Sequence, residues 1–413
     1  MTKRVEIEWL KSETSIAPAF WDLCFPANVE GRWWYETLEQ SGLEDQFRFR
    51  YGLVRRDGVP IAIVPAFSMN VPMEVVAPPW IMPYLRPAGR LFPQLLHEPT
   101  LFVGSPCSDE GTIGLAPAVD FAEIAPAIHE SLEQAAAELG TRVIAWKDFP
   151  LNTQSALNQV CNEYGLFPSL SYPGTVVKLS GTNMQSYWQG LKGSRRYNLK
   201  KKLTRSKQDA ELIAVCEQFP DQSVLDEIFP LFWQTYLKGE TKFEKLTPQF
   251  FNLIAKRKVS WFVYLRDVKD NRIVAFMLCF KLGNKMINKF IGLDYQRPKE
   301  WFLYFRLWEA AVEWALSQGA TEFQSGQTGY RGKIDTGHEL VPLLNYCRNR
   351  NPFLHELYRR VGPTITWSDL DRDLSEFLKA HPESDFRLDS QKAHDSASVA
   401  PLQTMPLANP SRI

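Results

Sequence analysis

Two stretches of the chain echo each other, and that echo constrains the fold more than any other feature. Residues 49–67 read FRYGLVRRDGVPIAIVPAF and residues 261–280 read WFVYLRDVKDNRIVAFMLCF. Each is an apolar, β-branched and aromatic run, then a charged turn, then a second apolar run. The turns are Arg55-Arg56-Asp57-Gly58 and Lys269-Asp270-Asn271-Arg272. This is the pattern of a β-hairpin. Each hairpin is followed by a helical stretch, a glycine and a strand, SLEQAAAELGTRVIAWKD in the first copy and LWEAAVEWALSQGATEFQSG in the second. A repeated order of this kind predicts an α/β (α+β) chain of two tandem units, each a central, mostly antiparallel sheet flanked by helices. The spacing differs because the first copy carries a Pro-rich insertion at about 68–117.

The expected division is a first unit over 1–170, a second over 171–367, and a remainder over 368–413. In the first unit helices are predicted near 30–40 and 121–139. Pro168, Pro173 and Gly174 mark the crossing to the second unit. There a basic helix over 183–207 and a strand over 212–216 precede helices near 225–237 and 248–257. The hairpin, a strand over 285–293, a long helix over 302–318 and strands near 322–325 and 340–347 complete the unit. Beyond it a short acidic helix over 369–379 is expected, then a disordered tail from residue 381, where large apolar residues become sparse.

Composition excludes several classes. Lys plus Arg equals Asp plus Glu at 47 each, so no global field draws the chain to a polyanion. The opening MTKRVEIEWLKSE lacks the continuous apolar core of a signal peptide, and no run approaches the length of a spanning helix, so membrane insertion is not expected. The six cysteines are scattered, with no CxxC and no Cys/His cluster, which predicts reduced core thiols, no metal, and a cytoplasmic protein.

The sharpest local feature is residues 191–207, LKGSRRYNLKKKLTRSK, with eight bases in seventeen residues. On a helical wheel Tyr187, Trp188, Leu191, Leu199 and Leu203 form one arc that should face the protein. Arg196, Lys200, Lys201 and Lys207 fall outside it. Arg195, Asn198 and Lys202 fall inside it, and buried cations need partners. Either internal acids meet them or this face opens on a cleft that holds an anion. Gly193 is the point at which the helix could break and the phase reset. The second feature is residues 325–338, SGQTGYRGKIDTGH, a glycine-rich connection able to approach a ligand closely, carrying Tyr330 and Lys333. It is not the nucleotide-hydrolase pattern GxxxxGK[ST]. We expect Tyr330 and Lys333 to line the same cleft as Arg195.

Together, Arg195-Arg196-Tyr-Asn-Leu-Lys-Lys and Gly326-Gln-Thr-Gly-Tyr330-Arg-Gly-Lys333 resemble the GNAT-like acyltransferases of the Fem-related and BioF-like acetyltransferase type. Trp146-Lys-Asp-Phe-Pro150 is similar to the family at the same place. The resemblance spans roughly residues 20–365 and implies two tandem GNAT folds. It also implies acyl transfer to an amine, from acetyl-CoA or another acyl-CoA, the amine being a small molecule or a precursor. Fem-type relatives instead take an aminoacyl group from tRNA and place it on a cell-wall precursor. Either donor carries phosphates, for which Arg195, Asn198, Lys202, Tyr330 and Lys333 are the implied binding residues. Asp294, Asp335, His338 and Glu339 are available acids and bases, and none is singled out.

One departure bears on the donor. GNAT enzymes carry a glycine-rich amide nest before the long helix, whereas here the stretch is Asp294-Tyr-Gln-Arg-Pro-Lys-Glu-Trp-Phe302, with no glycine. Either Arg297 and Lys299 replace the nest, or CoA is not held in the usual way. Acyl-CoA transfer is ranked first, aminoacyl-tRNA transfer second and a non-catalytic ligand binder third.

Overall fold

A computed structural model describes residues 4–73, 82–91, 96–239 and 244–388. Two sheets organise the chain, numbered here in chain order. The first runs β1 (Val5–Leu10), β2 (Arg48–Arg56), β3 (Val59–Pro72), β4 (His97–Val103), β6 (Val143–Pro150), β15 (Leu343–Asn349) and β7 (Phe167–Leu170), with β5 (Gly114–Leu115) beside β3. The second runs β9 (Leu212–Glu217), β10 (Ser260–Asp267), β11 (Ile273–Leu282), β12 (Lys285–Leu293), β13 (Glu322–Ser325), β8 (Gly174–Lys178) and β14 (Glu339–Val341). Read in this direction the two orders correspond strand for strand. Each has four antiparallel strands, one parallel step (β4 with β6, β12 with β13), and two further antiparallel strands. The predicted hairpins are β2–β3 and β10–β11. Asp57 and Gly58 turn the first with positive φ at both positions, as the twist of a two-residue connection requires.

Helices follow the same duplication. In the first unit α1 (Pro18–Cys24), α2 (Arg32–Glu39), α3 (Met82–Leu91), α4 (Phe121–Leu139) and α5 (Gln154–Tyr164) flank the sheet. In the second, α6 (Met184–Gly190), α7 (Gly193–Asp209), α8 (Gln222–Lys238), α9 (Pro248–Ile254), α10 (Leu303–Ser317) and α11 (Tyr330–Asp335) do so. Helices α4 and α10 are the crossovers that make the parallel steps possible. Asp120 caps α4 by accepting from the Ala122 amide at 2.9 Å, and Gly140 ends it in the left-handed region. Three further helices follow: α12 (Pro352–Val361), α13 (Trp367–Leu370) and α14 (Arg372–Ala380).

The expected elements differ from this in four places. The basic helix predicted over 183–207 is two helices, broken at Leu191 and Lys192, whose backbones are extended. The strand predicted over 340–347 is also two, because Pro342 supplies no N–H to a ladder. Its first half stays in the second sheet and its second half, β15, enters the first sheet between β6 and β7. The acidic helix over 369–379 is α13 and α14, separated by Asp371 and packed onto the first core through Trp367, Leu374 and Leu378. The tail expected from residue 381 begins with ordered contacts, Phe386 lying 5.9 Å from Trp367, and residues 389–413 lie outside the described residues.

A continuous apolar core joins the two units. Trp34 of α2 sits edge-on to Phe250 and Phe280 at 6.0 and 5.6 Å, among Phe47, Phe67, Phe232 and Phe276. Among the described residues no helix is long and apolar enough to cross a membrane. All six cysteines are free.

Candidate active site

Strands β12 and β13 pair in parallel over only four positions, ending at Asn288 opposite Ser325. Strand β12 then continues to Leu293 while β13 stops, so the sheet forks. A bulge lies at the fork: Leu278 pairs with Phe290 and Cys279 with Asn288, which leaves Lys289 as the extra residue. Bulges re-aim a strand next to functional sites. Two polar side chains close the last rung, Asn288 Nδ2 donating to Ser325 Oγ at 2.9 Å. The Asn288 side-chain oxygen, Oδ1, is buried without a hydrogen-bond partner.

Both units supply the surroundings. The Lys289 side chain is 1 % exposed and pairs with Glu30 and Asp109 from the first unit, Asp109 at 3.1 Å. Burial alone would lower the Lys289 pKa, but the two carboxylates outweigh it and hold the ammonium charged. Burial raises Glu30 above the usual carboxylate range, against the pull of Lys289. Asp109 also approaches Gly326, the first residue past the fork. A Cβ there would stand 2.8 Å from the Asp109 carboxylate, so the close approach requires glycine.

Lys333 of α11 points back to this place, its Nζ donating to the Gly326 carbonyl. Only 7 % of Lys333 is exposed. Burial pushes its pKa down to about 7, with Asp109 and Asp371 opposing the shift. A lysine in that state exchanges a proton near neutrality. Tyr330 is fully buried, its hydroxyl donating to the Pro173 carbonyl at 2.9 Å.

A second feature lies on the outer side of α11. A cleft of about 600 Å³ is enclosed by α7, α11, α14 and Phe302 at the head of α10. Arg195, Asn198 and Lys202 line it, with Lys192, Lys201 and Arg331. Lys202 reaches Asp335 at 2.7 Å and lies 4.1 Å from the Phe305 ring centre, while Arg331 faces Glu376 at 3.5 Å. The N-terminus of α10 has no side-chain cap, and its positive end adds to the field.

The structure thus brings Arg195, Asn198 and Lys202 together and separates them from Tyr330 and Lys333. The single cleft expected for all five is two places on opposite faces of α11. That helix turns Arg331 and Asp335 outward, and Tyr330, Lys333 and Ile334 inward. Arg195 and Lys202 are half-buried, and Lys200, Lys201 and Lys207 are exposed. Asn198, expected inside the arc, is exposed, and Arg196, expected in solvent, is half-buried and donates to the Trp188 carbonyl at 3.2 Å. The break at Lys192 explains both, because α7 takes its phase from Leu199 and Leu203 alone.

The four acids and bases named from the sequence lie away from the fork. Asp294 joins Asp267 and Asp270 around Arg297, which is therefore tied to the β10–β11 turn. Asp335 holds Lys202. Burial lowers His338 to about 3, with Nδ1 3.0 Å from the Lys333 carbonyl oxygen, and Glu339 lies exposed on β14. Sequence reasoning missed Glu30, Asp109, Asn288, Lys289 and Ser325. The Asn288-Lys289 pair inside KMINKFIGL breaks the apolar run and was the available signal. Glu30 and Asp109 lie in connections and carried none.

The corresponding fork of the first sheet, after Val103 and Trp146, is closed by its own chain. Gly104 bonds the Pro65 carbonyl at 2.9 Å and Gly111 the Asp148 carbonyl at 2.8 Å, so the connection from 104 to 111 runs back over the divergence and delivers Asp109 to the other fork.

A sheet forked at a parallel step, with a bulge in the longer strand and a crossover helix between, defines the GNAT-like class, and the chain contains two such units in tandem. No family model and no curated protein sequence matches it. Among solved structures it is similar to FemX, with a TM-score of 0.52 and 10% identity over 78% of this chain and 93% of that one. Two others are a tandem GNAT protein from the clavulanic acid biosynthesis pathway (0.48; 9% identity; 84% and 99% covered) and L-PGS from Bacillus licheniformis (0.47; 13%; 79% and 92%). The fold is that of the Fem-related proteins. Among the described residues no cluster of side chains could hold a metal ion.

Proposed function

We propose that the chain is an N-acyltransferase working at the fork of its second unit, about residues 171–367. The observation that carries this reading is the bulged β12/β13 fork with the desolvated Lys333 at its mouth. An acyl carbonyl lodged where the strands part would meet backbone amides instead of water. The acceptor nitrogen attacks the carbonyl carbon, a C–N bond forms and the bond to the donor's sulfur or oxygen breaks. The proton shed by the attacking amine passes to neutral Lys333 and leaves with the donor fragment. Glu30 and Asp109 hold Lys289 in place at the bulge, and the attacking amine enters neutral, so that one proton is shed in the step. The Arg195–Lys202 cleft at the head of α10 suits the phosphates of the donor.

Acyl-CoA is the preferred donor, and a cytoplasmic location, where that donor is available, is proposed with it. The second reading, an aminoacyl-tRNA donor, is favoured by one observation: Arg297 is tied to three carboxylates and offers no pyrophosphate nest. Calorimetric titration with CoA, acetyl-CoA and a charged tRNA tests both, beside Arg195→Ala/Lys201→Ala. Loss of at least about tenfold in acetyl-CoA affinity at unchanged melting temperature supports the reading, that being the scale of one charge-assisted hydrogen bond. Binding of charged tRNA alone moves the assignment to the second reading. Failure of all three leaves a non-catalytic binder.

A further inference from the structure

Helix α12 contains no buried residue. Its inner side rests on the first unit, His355 lying 5.7 Å from the Phe167 ring and the Tyr358 hydroxyl donating to Glu98 at 3.4 Å. Its outer side carries Phe353, 87 % exposed, and Leu357 one turn later, 46 % exposed. At about 100° per residue Arg360 falls on the same stripe. Scattered exposed apolar residues are ordinary, but a phenylalanine and a leucine stacked at i, i+4 form a ridge.

The charge around this ridge is one-sided in a chain whose net charge is zero. Arg359 and Arg360 share the single Glu356 at 2.9 and 2.7 Å. Arg348 and Arg350 share the single Glu133 at 3.1 and 3.5 Å. Helix α3 brings a further exposed arginine, Arg90, and carries no acid of its own. It reaches the same edge of the molecule. Its Gly89 packs on Leu96, two residues before the Glu98 that holds Tyr358 of α12.

We propose that this edge docks peripherally on an anionic lipid surface. Phe353 and Leu357 enter the boundary between headgroups and acyl chains, and the arginines of α12 and α3 lie over the headgroups. An interfacial helix needs this combination of apolar ridge and basic flank. A second copy is a poor occupant, because a two-fold contact would set the same arginines against each other. The inference is independent of the proposed acyl transfer.

The test is co-sedimentation of the full chain with vesicles of phosphatidylcholine alone and of phosphatidylcholine mixed with phosphatidylglycerol. The parent is expected to bind only the anionic vesicles and to be released by salt. Phe353→Ser/Leu357→Ser and Arg359→Gln/Arg360→Gln should each weaken partition at least about tenfold while melting like the parent, since these side chains are exposed. Absence of parental binding, equal binding to neutral vesicles, or variants that bind like the parent would overturn the proposal. So would sedimentation equilibrium showing a parental dimer that Phe353→Ser/Leu357→Ser makes monomeric, which would assign the ridge to self-association.

Discussion

Replacing Lys289 by Met is the most informative single perturbation of the site. The methionine keeps most of the volume and removes the one ammonium between Glu30 and Asp109. Breaking a buried ion pair from one side costs about 3–5 kcal/mol, because the remaining charge is left desolvated. The side chain is almost wholly buried, so solvent screening does not reduce that figure. At about 2–4 °C per kcal/mol for a domain of this size, the melting temperature should fall by on the order of 10 °C. The loss should depend on pH in a defined sense. Glu30 already has a pKa above its usual value of 4.5, and without Lys289 it rises further. A carboxyl raised in the folded state contributes stability that is complete below the unfolded pKa and lost as pH rises through the folded one. The deficit of the variant should therefore be small near pH 4 and widen toward pH 7. Denaturant titrations followed by circular dichroism at several pH values measure it. Glu30→Gln/Asp109→Asn/Lys289→Met should recover part of the loss, since the stranded charges are gone. A deficit under about 1 kcal/mol at pH 7, the range of an exposed pair, or one that does not change with pH, would refute the buried cluster.

Lys333→Met should remove the rise of kcat/KM centred near pH 7, while leaving donor affinity measured by titration unchanged; a surviving limb assigns the proton transfer elsewhere. Gly326→Ala forces a methyl to within 2.8 Å of a carboxylate pinned by Lys289, and should cost about 1–3 kcal/mol of stability together with a loss of turnover, read by thermal melting and by donor thiol release. Trp34→Ala opens the core shared by the two units and should cost about 3–5 kcal/mol; a loss confined to one of two separate melting steps would show that the units do not unfold together.

How much of this was legible in the sequence depended on whether the signal was local. Both hairpins declared themselves through alternation and turn residues, and α4 and α10 through their length and terminal glycines. The break between α6 and α7 was half visible, since Gly193 marks it, but wheel reasoning carried one phase across it and misplaced Arg196 and Asn198. The inward turn of Lys333 could not be read, because Gly329 and Tyr330 start a six-residue helix too short to show periodicity. Least legible was the fork cluster. Lys289 is joined to Asp109 across 180 residues, and nothing in the neighbourhood of either residue announces the other.

Strand β15 has a consequence for how the protein is made. The first sheet gains its sixth position only when residues 343–349 arrive, and until then the outer edge of β6 and both edges of β7 have no neighbour. During synthesis the N-terminal half must therefore wait, incomplete, while nearly all of the second half is added. Meanwhile β8, from the connection between the halves, takes the matching place in the second sheet. Only the first sheet is thus finished by a strand from the other half, and a gene cut between the two repeats, ahead of β8, would yield one fragment with an open seam and another with a strand left over.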